Sequence, residues 1–142
     1  MTLETERTSR DYLYGRLLAI AEHLEGRALY VAGESRDPNA ARLMQRFADR
    51  PASTWRSIEL ALAPYKTRLR VRRPGFLRKM EERLDEVISA FTQEDFVDDR
   101  KLSGEFLLGY HCERRALRPG DADTLETHEE TADNRAAEGG IS

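Results

Sequence analysis

The sequence carries a single cysteine, Cys112, so no disulfide can close within the chain and a fold stapled by cross-links is excluded. This fits a reducing cytosol. Histidine is almost as scarce, with three in 142 residues. His111 and Cys112 are adjacent, which on a helix turns them about 100° apart, and no third residue stands at a spacing that orients them as a nucleophile and its base. His23 stands alone, and His128 lies in the polar stretch "THEE". There is no Cys-x-x-Cys, no histidine pair at i, i+4 and no glycine-rich phosphate loop. Structural or surface roles are expected for all three histidines, with no metal, no cofactor and no catalytic centre. Long apolar runs are also missing. The longest, Leu17 to Ala21, falls far short of the roughly 20 residues that span a bilayer. The opening "MTLETERTSRD" lacks the basic-then-apolar order of a signal peptide. A cytoplasmic protein without membrane contact is expected.

Charge is what the sequence has in abundance. Asp, Glu, Lys and Arg make up 35% of the chain and apolar residues 39%, a balance that suits a charged helical protein or a subunit that completes its burial against partners. The length suffices for one domain with one core. The net charge of −3 conceals an asymmetry: from Pro119 onward seven acids face Arg135 alone, a net of −6, while the residues before it carry +3. Residues 119–142 have almost no large apolar side chain and are expected to form a disordered acidic tail. Residues 1–8 are expected to be flexible, which leaves 9–118 as the folded domain.

Periodicity predicts that this domain is all-α, a compact bundle of about four to five helices. In "SRDYLYGRLLAIAEHLEGRAL", Leu13, Leu17, Ile20 and Leu24 share one face behind Ser9 as N-cap, and Gly26 and Gly33 mark the fading end. "DPNAARLMQRFADR" gathers Leu43, Met44, Phe47 and Ala48 on a short second helix, with Pro38 near its start and Pro51 beyond it. From Ser53, Trp55, Ile58, Leu62, Tyr65 and Leu69 make a third stripe. "YKTRLRVR" also alternates as a half-exposed strand does, but nothing else reads as a strand to pair with it, and the helical stripe continues in register through Leu69. A helix kinked or split at Pro64, at a cost of about 3 kcal/mol, is therefore expected. "RRPG" is a turn, "FLRKMEERLDEVISAF" a clear amphipathic helix, "TQEDFVDDR" a polar loop and "DRKLSGEFLLGYHCERRAL" the last helix. Gly15 and Gly109 lie inside the first and last helices at about 1 kcal/mol each relative to alanine. They mark either a close helix crossing or merely tolerated glycines.

The candidate site is "PYKTRLRVRRPGFLRK", in which Lys66, Arg68, Arg70, Arg72, Arg73, Arg78 and Lys79 are basic and no residue from Tyr65 to Met80 is acidic. Arginine's planar fork matches phosphate oxygens with two parallel bonds. Tyr65 and Phe76 bracket the ridge, where exposed aromatics serve for stacking on single-stranded bases. The alternative is a solvated helix flank with both aromatics in the core. Scattered acids normally accompany such a flank, and their absence favours phosphate. Neutralising about four phosphates of a single strand gives a salt slope of about −2.8, some fifty-fold weaker binding at about 200 mM than at about 50 mM. A partner that holds the nucleic acid is therefore expected. Arg114, Arg115 and Arg118 form a second, smaller basic cluster, for which complementing a helix C-terminus is a sufficient reason.

"YLYGRLLAIAEHLE" near the start, a central helix closing on basic residues and "GEFLLGYHCERRAL" at the end together resemble the C-terminal region of the large subunit of type I-C CRISPR effector complexes, over about residues 11 to 116. That pattern carries a Tyr-Leu-x-Gly-Arg-Leu block first and a Gly-x-Phe-x-Leu-Gly-Tyr block last. In that family the region is also made as a separate protein, the Cascade small subunit, and a 142-residue chain opening on its own Met1 looks like that product. The resemblance implies a non-catalytic, architectural role in a surveillance complex. Its partners would be the backbone and large subunits, other copies of itself, and crRNA-guided target DNA with the displaced strand of the R-loop. Base pairing reads sequence in such complexes, while protein contacts go to the backbone. A purely structural spacer, with arginines paired to acidic protein surfaces, is the second reading. The chain departs from the pattern at the last Gly-Tyr, where it has Tyr110, His111, Cys112 and Glu113 in place of a Tyr-His-Gln-like ending. The shared motifs are mainly packing positions.

Overall fold

The structure, a computed structural model, describes residues 9–117; the expectations for residues 1–8, for Arg118 and for the acidic stretch 119–142 lie outside the described residues. The chain runs through α1 (Arg10–Val31), α2 (Asn39–Arg42), α3 (Met44–Asp49), α4 (Pro51–Arg72), α5 (Pro74–Ala90), α6 (Gln93–Val97) and α7 (Glu105–Ala116), and no strand occurs among the described residues. The bundle is built by the four long helices α1, α4, α5 and α7. The all-α expectation holds, and "YKTRLRVR" is helical through Arg72.

Ser9 caps α1 by accepting the Tyr12 N–H at 3.4 Å. The helix differs from the one-faced stripe expected: every residue from Tyr12 to Ala21 is buried. Tyr12, Tyr14, Leu18 and Ala19 fill the sides that Leu13, Leu17 and Ile20 leave, so α7, α4 and α5 can all pack around α1 as a central axis. Gly26 stays inside the helix, and the terminator is Gly33 at φ +75°. Its N–H reaches the Tyr30 carbonyl at 3.0 Å and the Glu34 N–H reaches that of Leu29 at 3.0 Å, the paired bonds of a Schellman cap.

Gly15 and Gly109 mark a close crossing. A Cβ at Gly15 would lie 2.0 Å from the Phe106 carbonyl oxygen, and one at Gly109 2.0 Å from the Tyr12 oxygen. Backbone meets backbone here, which only glycine permits. Beside this crossing Arg16 Nε donates to Glu113 Oε1 at 2.7 Å and Arg83 Nε donates to Glu113 Oε2, so one fully buried carboxylate joins α1, α5 and α7.

The expected second helix is two, broken at Leu43, with Phe47 buried between Phe106 and Tyr14. α4 begins two residues before the expected cap, with Pro51 in its first turn. Asp99 takes the Ser53 N–H at 3.0 Å and its hydroxyl at 2.6 Å. Burial pushes Asp99 up, but these bonds and the Ala52 N–H outweigh it and hold the carboxyl below the usual range. The helix runs unbroken through Pro64; Leu60, whose carbonyl loses its partner there, is 79% exposed, so that face is open to water.

The expected polar loop contains α6, capped by Thr92 through the Asp95 N–H at 3.1 Å. The last helix starts at Glu105 and not at Asp99, because residues 98–103 serve other elements. Arg10 donates to the Asp98 carbonyl at 2.9 Å, Leu102 N–H to that of Ala48 at 2.8 Å, and Ser103 N–H to Asp11 Oδ2 at 2.8 Å. Asp98 is held below the usual carboxylate range by the Arg100 N–H and guanidinium and by Arg10. Tyr14 donates to the Phe96 carbonyl at 2.7 Å, and burial pushes its hydroxyl up to about 12.

Candidate nucleic-acid interface

Arg73 alone links α4 to α5, and Pro74, whose missing N–H costs nothing in a first turn, starts the second helix at once. The two helices fold side by side, with Lys66 Nζ 3.8 Å from Glu81 Oε2 across the pair. The basic stretch therefore occupies a corner rather than a straight ridge.

The seven basic residues divide. Arg70, Arg72, Arg78 and Lys79 are exposed, and Arg70, Arg72 and Arg78 form no ion pair among the described residues. Lys66 is turned toward Glu81. Arg68 lies over the Tyr65 ring at 5.8 Å and donates to the Ala28 carbonyl at 3.3 Å and to Glu34 Oε2 at 3.5 Å. Arg73 departs from the expected set: it is buried, 6% exposed, with Nη1 donating to the Arg72 carbonyl at 2.8 Å. A one-residue linker folds its side chain into the corner, where no phosphate reaches it.

The aromatic part of the expectation is also corrected. Phe76 is 2% exposed, beneath the Arg27 guanidinium at 4.5 Å, because it shares the core face of α5 with Leu77 and Met80. Tyr65 is half-buried, and its hydroxyl accepts from Arg36 Nη2 at 2.8 Å. Neither ring is offered for stacking. The corner provides point charges and forks, which recognise backbone without reading bases. Beyond Met80 the outer face of α5 turns acidic with Glu82, Asp85 and Glu86, which bounds the cationic surface.

In the second cluster Arg114 and Arg115 are exposed in the last turn of α7, and Arg118 lies outside the described residues. Arg114 lies over the Tyr110 ring at 5.8 Å with Nε 3.8 Å from Glu22 Oε1. Tyr110 donates to the Glu22 carboxylate at 2.8 Å, and burial with that bond pushes its hydroxyl up to about 12. A cleft of about 390 Å³ opens here between Glu22, His23, Arg27, Asp37 and Arg114. Its two acids balance its two arginines, so it has no pull on an anion.

A profile of the CRISPR-associated protein family Cas_Csd1 matches residues 1–118, the whole described bundle included. The chain belongs to this family. A comparison with curated proteins gave no match. In this Cas_Csd1 bundle His111 is exposed while its neighbour Cys112 is buried, and no group of three metal-ligating side chains occurs among the described residues. No described helix is long and apolar enough to cross a membrane.

One cation of the Cas_Csd1 chain escaped the sequence reading. Arg36, in the loop after α1, reaches across to α4 through Tyr65. Its only sequence signal is a place shortly after the helix-ending Gly33, which gives no hint of a partner 29 residues away.

Proposed function

We propose that this CRISPR-associated protein is a non-catalytic small subunit of a type I-C, crRNA-guided Cascade complex. It lines the crRNA filament beside backbone and large subunits and helps hold target and displaced DNA strands in the R-loop. The observation that carries the reading is the corner of Arg70, Arg72, Arg78 and Lys79, four exposed cations without an intervening acid, on a member of a CRISPR-associated family. Such a corner suits sequence-independent phosphate contact, with specificity left to base pairing.

The spacer reading retains one supporting observation: Leu60 and Val71 on the outer side of α4 are 79% and 78% exposed, as residues awaiting a protein neighbour are. The two readings separate under Arg70→Glu with Arg72→Glu. A subunit that still assembles into the effector complex, but whose complex binds target DNA less tightly, supports phosphate contact. Lost assembly supports the spacer.

A further inference from the structure

Beside the corner, the loop after α1 brings a second pair of arginines together around one carboxylate. Glu34 Oε1 accepts from Arg36 Nε at 3.3 Å and Glu34 Oε2 from Arg68 Nη1 at 3.5 Å, so each oxygen is held by a different arginine. Tyr65 completes the group, with its hydroxyl bound to Arg36 and its ring beneath Arg68. The Schellman cap fixes the Glu34 backbone through its N–H bond to Leu29, so the carboxylate has a defined place.

We propose that this trio is a phosphate seat for a single-stranded nucleic acid and that Glu34 occupies it in the free protein as a placeholder. The inference rests on the proposed function and extends it to a residue, Arg36, and a regulatory contact outside the corner. Two guanidiniums converging on two oxygens of one anionic group present donors that two oxygens of a phosphate also satisfy. Both bonds to Glu34 are long. Arg36, Arg68 and Glu34 are 37–42% exposed, and ion pairs so exposed are too weak to keep out a phosphate already held nearby. Arg68 and Arg72 are one helical turn apart on the same flank of α4, so a strand at the corner has its next contact at this seat. Arg36 does not lose its hold when Glu34 moves aside, because the Tyr65 hydroxyl and Glu25, whose Oε2 is 3.8 Å from Arg36 Nη1, keep it oriented.

The test compares binding of a fluorescent oligo-dT by the full chain across a salt titration for wild type, Glu34→Gln, Glu34→Gln with Arg36→Ala, and Glu94→Gln as a control that removes the same charge from the exposed start of α6. Glu34→Gln is expected to tighten binding several-fold and to steepen the salt slope by about 0.7, one further phosphate. Arg36→Ala is expected to cancel both gains, and Glu94→Gln to reproduce neither. Equal affinity and slope for Glu34→Gln and wild type, or an equal gain in the Glu94→Gln control, overturns the seat. Failure of the proposed function itself shows elsewhere, as indifference to reversal of Arg70 and Arg72. A Glu34→Gln chain that assembles differently with effector subunits but binds DNA unchanged assigns the trio to a protein carboxylate and overturns the proposal.

Discussion

The α1/α7 crossing and the α4/α5 corner are both places where two helices meet, and they are held by opposite physics. At the crossing, backbones touch at Gly15 and Gly109, and the buried Glu113 carboxylate is clasped by Arg16 and Arg83. Both guanidiniums there share one carboxylate within the protein. At the corner, Arg70, Arg72 and Arg78 face solvent without an intramolecular partner among the described residues. Arginine does both jobs in one chain. Buried and paired, it joins helices; exposed and unpaired, it is the group that the proposed function assigns to phosphate.

The sharpest way to break the comparison is to remove the shared carboxylate. Glu113→Gln leaves the Arg16 charge buried without its counter-ion and is expected to cost about 3–5 kcal/mol of unfolding free energy, read as a lowered urea midpoint. Gly109→Ala comes next. Its new Cβ meets the Tyr12 carbonyl oxygen at 2.0 Å, so the helices must part; the expected loss is about 1–3 kcal/mol, after a helix-propensity gain of about 1 kcal/mol has already been offset. Stability against pH is expected to have two limbs. Asp98 and Asp99 titrate below the usual carboxylate range in the fold, so their contribution is present above about pH 4 and fades as pH falls through their folded pKa values. Tyr14 and Tyr110 bind their protons more tightly in the fold, at about 12 against 10.0. Their contribution is complete below pH 10 and is lost between 10 and 12, which urea melts across alkaline buffers will register. Smallest of all, Arg70→Glu with Arg72→Glu touches only exposed side chains, but it sets two acids in the last turn of α4 where cations complement the helix dipole, and it is expected to cost about 1 kcal/mol or less.

The helices were legible because their apolar spacing is local. Leu77, Met80, Leu84 and Val87 announce α5 and are buried in it, and the glycines of the first and last helices do sit at a crossing. What the sequence hid depends on contacts between distant residues. Asp99 to Ser103 continue a plausible helical pattern, yet Asp99, Leu102 and Ser103 are taken by Ser53, Ala48 and Asp11, so α7 starts late. Among the basic residues, composition cannot tell Arg72 from Arg73. One is the last residue of a helix and exposed, the next is a one-residue linker and buried. Phe76 looked like a stacking platform because its neighbours are cations, but helical phase places it in the core.

The most direct test of the corner is a salt titration of single-stranded DNA binding by the isolated protein, with and without Arg70→Glu and Arg72→Glu. Four exposed cations predict a slope of log affinity against log salt near −2.8, flattening to about −1.4 or less in the variant, with both proteins folded at the temperature of the titration. Superimposable titrations for the two proteins, or no binding by the wild type at low salt, would contradict the assignment of these arginines to phosphate.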